Sequence, residues 1–114
     1  MDQSTALFAS VAVEAITVAL LLARRGRRTI LRGMAAAAVA TIATHPLAWW
    51  GIEVLEPVLG YWAAVLAVEA LVCLGEAVAY RLLVALDWPT ALGVSVVANA
   101  ASTLAGLLFY AATS

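Results

Sequence analysis

The chain has no lysine, one cysteine, one histidine and three prolines in 114 residues, and its formal charges are six arginines and seven acids. With 11% charged and 66% hydrophobic residues, it lies far from a soluble domain, which is about a quarter charged and about half apolar. The single cysteine, Cys73, excludes an intramolecular disulfide and any paired-cysteine redox or metal motif. Inside an apolar run it reads as a small buried hydrophobe. No GxSxG, HExxH or Walker loop occurs, so no catalytic residue is assigned. Five of the six arginines (Arg24, Arg25, Arg27, Arg28, Arg32) fall within nine residues. What remains is too apolar for a nucleic-acid reader, a separate soluble domain or a catalytic ectodomain.

Apolar runs make up most of the chain. Each membrane crossing takes about 20 residues, so 114 residues suffice for four crossings joined by short connectors. The first run, Thr5 to Ala23, has its basic residues after it, whereas a secretory signal carries them before; it is expected to stay as a transmembrane helix. The second, Gly33 to Trp50, ends in His45, Pro46, Trp49 and Trp50, with the paired tryptophans suited to a membrane interface. A connector over Gly51 to Pro57 is expected next, with Pro57 in the first turn of a third helix. That third run extends from Val58 towards Leu86, with Arg81 marking its exit. Asp87, Trp88 and Pro89 break the chain before the fourth run, Thr90 to Ala112. The expected architecture is therefore all-α, a single integral membrane domain over residues 1–114 with transmembrane helices at about 5–23, 33–50, 58–80 and 90–112.

Basic loops stay in the cytoplasm. The arginine cluster between the first two spans places the N-terminus and the C-terminus outside, and the acidic connector with Glu53 and Glu56 outside as well. Twenty-seven alanines and the use of arginine to the exclusion of lysine suggest a GC-rich prokaryotic genome, and so a multi-pass protein of the cell (inner) membrane.

Polar residues inside spans are costly and carry functional hypotheses. Glu14 and Glu69 fall midway along the first and third spans, His45 in the outer half of the second, and Asn99 at similar depth in the fourth. Each span has one polar stripe at helical spacing. These are Ala6, Ser10, Glu14 and Thr17 on the first, and Thr41 and His45 on the second. The third carries Trp62, Glu69, Cys73, Glu76 and Tyr80, and the fourth Ser95, Asn99, Ser102, Thr103 and Gly106. Lipid rejects all four stripes, so they are expected to face one another. Glu14, Glu69, His45 and Asn99 would then form a substrate or ion site, supported by Thr41, Glu76, Ser95 and Ser102. Glu76, nearer the cytoplasmic end, is expected to pair with an arginine, and Ser102 with Gly106 reads first as a helix-packing pair. A carboxyl in low dielectric exchanges protons or attracts cations, and two Glu, one Asn and one His could also hold a metal ion. No cofactor is otherwise called for.

Four spans in about 110 residues with a glutamate midway along the first, Val13-Glu14-Ala15, resemble the small multidrug resistance transporters in architecture. That resemblance implies proton exchange for cations at Glu14. The chain departs from the family in carrying Glu69 and Glu76, and its arginine bias argues against insertion in two opposite orientations. The expected function is a small transporter or channel-like protein for a cation or a proton-coupled solute. The expected partners are the bilayer and further copies of the chain, since four short helices enclose little volume; no nucleic acid is involved. The alternative is a non-catalytic accessory or assembly subunit of a larger membrane complex.

Overall fold

The computed structural model describes residues 2–113, without the side chains of Gln3 and Thr113. Four helices carry the fold: α1 (Gln3–Leu21), α2 (Arg27–Leu59), α3 (Tyr61–Leu83) and α4 (Trp88–Thr113), with one 3-10 turn, Ala23–Arg25, before α2. All four are long and apolar enough to cross a membrane. Alanine, the strongest helix former, dominates their interiors. Aspartates cap two of the starts: Asp2 accepts from the Thr5 amide at 2.7 Å and Asp87 from the Thr90 amide at 2.9 Å. Hydrogen bonds to Thr5 and Thr90 hold both carboxyls below the usual range, so these caps persist above the ordinary aspartate pKa and are lost only in stronger acid.

The connectors are short, and the helices run up and down in a ring in which α1 packs on α2 and α4, and α3 on α2 and α4. Among the described residues the diagonal pairs α1–α3 and α2–α4 make no backbone approach. Small buried residues (Ala36, Ala37, Ala64, Ala77, Ala91, Ala98) let the backbones come close, as packing between apolar helices requires.

The largest difference from the sequence reading is in α2. The expected connector over Gly51 to Pro57 is helical, and α2 continues unbroken to Leu59. Neither Pro46 nor Pro57 ends the helix; each removes one backbone bond. Gly51 serves packing, because a Cβ there would lie 3.2 Å from Val68 Cγ2. The chain turns at Gly60 alone, with φ 82° and ψ 161°, a conformation essentially reserved for glycine. The α3 span accordingly begins at Tyr61 and runs to Leu83. A Cβ at Gly60 would meet nothing, so Gly60→Ala isolates the backbone cost. It should destabilise the fold by about 1–3 kcal/mol, read as a lowered midpoint of thermal unfolding in detergent.

At 1.5 Å per residue α2 is about 50 Å long. Its two charged ends, Arg27 to Arg32 and Glu53 to Glu56, flank about 20 residues without charge, the length of one hydrocarbon crossing.

Burial is inverted relative to a water-soluble bundle. Large apolar side chains point outward on every helix, among them Phe8, Val58, Leu66, Leu82 and Leu107, while Glu14, Thr41, Glu76, Ser95 and Asn99 are buried. The interior has two halves. At the arginine end Val18, Leu22, Ala36, Ala37, Tyr80, Val84, Leu86, Val94 and Ala98 form an apolar plug. The polar residues occupy the other half.

Candidate functional site: a carboxyl-lined cavity

Each helix contributes to a cavity of about 150 Å³ in that second half. Helix α1 supplies Ser10 and Glu14; α2 supplies Thr41, Thr44 and His45, then Ala48, Trp49 and Ile52. Glu69, Val72 and Glu76 come from α3, and Asn99, Ser102 and Thr103 from α4. The helical repeat explains the selection: Glu69 and Glu76 are two turns apart on one face, as are Thr41 and His45 at one turn.

At its centre are two carboxyls from the diagonal pair. Glu14 and Glu76, 2% and 1% exposed, face each other within hydrogen-bonding reach, their side chains spanning the gap between α1 and α3. Neutral donors hold them from both sides. Thr41 Oγ1 donates to Glu14 Oε2, Asn99 Nδ2 donates to Glu76 Oε2 at 2.8 Å and Thr44 Oγ1 to Glu76 Oε1 at 3.3 Å. Asn99 Nδ2 also donates to the Ser95 carbonyl at 2.8 Å, and Ser95 Oγ to the Cys73 carbonyl at 2.6 Å, so Ser95 supports the network from behind without lining the cavity. Ser102 Oγ donates to Ser10 Oγ at 3.1 Å, closing the α1–α4 side.

The four principal candidates read from the sequence, Glu14, Glu69, His45 and Asn99, therefore share one cavity. Glu69 and His45 are half-buried at its rim, with the His45 ring 5.7 Å from that of Trp49. Two buried cavity atoms, Glu14 Oε1 and His45 Nε2, receive no hydrogen bond, and neither does the Tyr80 hydroxyl in the plug. Thr17 contributes nothing, since its hydroxyl bonds back to the Val13 carbonyl at 2.7 Å.

Glu76 is where the sequence reading fails. Expected to pair with an arginine, it lies at the centre of the site, and the lining contains three carboxyls and no arginine. Arg81, the nearest basic residue along α3, turns away: its Nη1 donates to the Leu86 carbonyl at 3.0 Å and its guanidinium lies 5.8 Å from the Trp88 ring centre. Starting the third helix at Val58 placed Glu76 too near the membrane edge; the turn at Gly60 moves it inward. Its spacing of seven from Glu69 was the signal that it belonged to the same face. Thr44 is not legible from the sequence, because it lies next to His45 and off the line of Thr41 and His45.

Among the described residues no three His, Cys, Asp or Glu side chains converge closely enough to hold an ion, although four such residues line the cavity. Comparison of the chain with protein-family models, with curated proteins and with solved structures gives no match in any of the three.

Proposed function

We propose that the chain crosses a cell membrane four times and moves a cation, or a small solute coupled to protons, by way of the Glu14–Glu76 cavity. The outward-facing apolar side chains and inward-facing carboxyls support the membrane reading, because water favours the opposite arrangement and lipid favours this one. With the arginine connector in the cytoplasm, both termini lie outside and the cavity occupies the outer half. The apolar plug then closes the cytoplasmic half, so passage requires that half to rearrange, within one chain or against a second copy.

One observation carries the proposal: two buried carboxyls face each other among neutral donors with no arginine in the lining. Two acceptors cannot bond to each other directly, and two negative charges this close in a medium of low dielectric repel strongly. A proton or a cation between them resolves both problems. Because either one does, the arrival of a cation releases the proton, and the two fluxes are coupled.

The test uses purified protein in proteoliposomes with an internal pH-sensitive dye. Wild-type protein should release protons across the membrane when a cation gradient is imposed. Glu14→Gln keeps the shape of the side chain and the acceptor for Thr41, but cannot lose a proton; it should remain folded and lower the coupled flux by at least about tenfold. Flux equal to wild type in this variant overturns the proposal. Absence of flux from wild-type protein overturns it too, and favours the accessory-subunit reading.

A further inference from the structure

The cavity engages the buried acids and leaves the arginines unused. All six lie at the plug end of the bundle, with Asp87 as the one acid there, so this end is strongly cationic. Asp87 feels the charge of Arg25 and Arg81, but its carboxylate is committed to the Thr90 amide at 2.9 Å. Arg81 is turned onto the Leu86 carbonyl and the Trp88 ring. Arg25 ends the 3-10 turn with its side chain exposed.

A groove of about 280 Å³ leads from Arg25 between α1 and α4. Leu21 and Val97 form its exposed lips, and the buried Leu22 and Val94 its floor. On α4, Thr90, Gly93 and Val97 follow at intervals of three and four residues, one helix face over about 10 Å. A Cβ at Gly93 would meet nothing, so a side chain there would stand in the groove. Glycine inside a helix costs stability relative to alanine, and here it keeps the groove open. The groove is thus apolar along its length and cationic at one end, where the membrane interface lies. A second copy inserted in the same direction would bring its own arginines to that level, and like charges repel. An anionic lipid complements both the charge and the apolar walls.

We infer that the α1–α4 groove seats one anionic glycerophospholipid: Arg25 and the Thr90 hydroxyl hold the headgroup phosphate, and an acyl chain lies over Gly93 and Val97. The other arginines do not line the groove; they draw anionic headgroups to this face of the membrane. The inference rests on the membrane reading above and not on transport.

Native mass spectrometry of the full chain in nonionic detergent, with equal amounts of dioleoyl phosphatidylglycerol and dioleoyl phosphatidylcholine, counts the lipids retained. Wild-type protein should keep one phosphatidylglycerol, preferred by at least about fivefold, the worth of one arginine facing an anionic headgroup. Arg25→Gln should remove most of that preference. Arg32→Gln, an equal loss of charge on α2 and so diagonal to α4, should reduce it less than about twofold, because solvent screens the more distant charge. Gly93→Leu should lower retention of both lipids by filling the groove; if it does not fold, the two arginine variants decide. Glycerol phosphate, with the headgroup charge and no chains, should not bind at the same concentration. Equal retention of the two lipids by wild-type protein overturns the inference. So does an Arg32→Gln effect as large as that of Arg25→Gln, which would mean a diffuse field with no seat in the groove, and so does glycerol phosphate binding as tightly as the lipid. An alkaline carbonate wash of membranes separates this from the reading it rests on. A chain that stays in the pellet yet shows no lipid preference overturns the lipid site alone, and a chain released to the supernatant overturns the membrane reading.

Discussion

Glu76→Ala is expected to destabilise the bundle by about 3 kcal/mol, whereas Glu76→Gln leaves stability within about 1 kcal/mol of wild type. Alanine removes the acceptor of both Asn99 Nδ2 and Thr44 Oγ1 and leaves a void at a side chain only 1% exposed. Hydrogen bonds between membrane helices are worth about 0.6–2 kcal/mol each, and the unfilled volume adds a cavity cost. Glutamine keeps the volume, its carbonyl oxygen accepts from Asn99, and its amide can donate to Glu14. It therefore puts a permanent proton where the proposed function requires an exchangeable one. Unfolding in a graded mixture of mild and denaturing detergent measures the stability of both variants, and the flux assay then separates their functions. A glutamine variant as unstable as the alanine variant would mean that the charge of Glu76, not its shape and hydrogen bonds, holds the helices together.

Gly33→Leu is expected to cost more than about 3 kcal/mol and to disrupt the packing of α1 on α2. An added Cβ at Gly33 would already lie 2.6 Å from Leu22 Cδ1 and 2.9 Å from Val18 Cγ1. Both neighbours belong to the apolar plug and are 1% and 0% exposed. Val18 is β-branched and stiff at χ1, so it cannot swing aside, whereas Leu22 borders open space and its Cδ1 end can shift. Gly33→Ala sets two effects against each other. Alanine gains about 1 kcal/mol of helix propensity over glycine, while overpacking in a filled core costs about 1–3 kcal/mol. The strain should win because the contact with Val18 Cγ1, 2.9 Å from the added Cβ, is with a stiff and fully buried side chain, and the unfolding midpoint should fall. A rise would show that α1 and α2 can separate at this crossing at little cost, which would also make the plug a plausible moving part.

Much of the site was legible from residue type alone. Glutamate, asparagine and histidine inside apolar runs are expensive to place in lipid, and helical spacing puts each on one face, so their convergence follows once the faces are turned inward. What did not follow was the ranking. Run length predicts Glu69 and Glu14 as the central pair, because both fall midway along their expected spans, and Glu76 as peripheral. Depth inferred from run length is only as good as the helix ends, and Pro57 and Gly51 resemble helix punctuation even though both lie inside α2. Moving the start of α3 to Tyr61 brings Glu76 to the centre and leaves Glu69 at the rim.

By itself the sequence determined the class of the protein: too few charges for a soluble core, four runs of spanning length, and polar residues that lipid would reject. These are properties of composition and period, and they survive errors of a few residues in any boundary. Only the tertiary structure decided which carboxyls meet, because that depends on where the chain turns and on which helices are diagonal rather than adjacent. The ring order sets α1 opposite α3, across a gap that two long acidic side chains can bridge and two backbones cannot. It also decided which donors the two carboxyls receive, Thr41 for Glu14 and Thr44 with Asn99 for Glu76. Pairing of that kind is a matter of a few ångströms, and no periodicity in a sequence carries it.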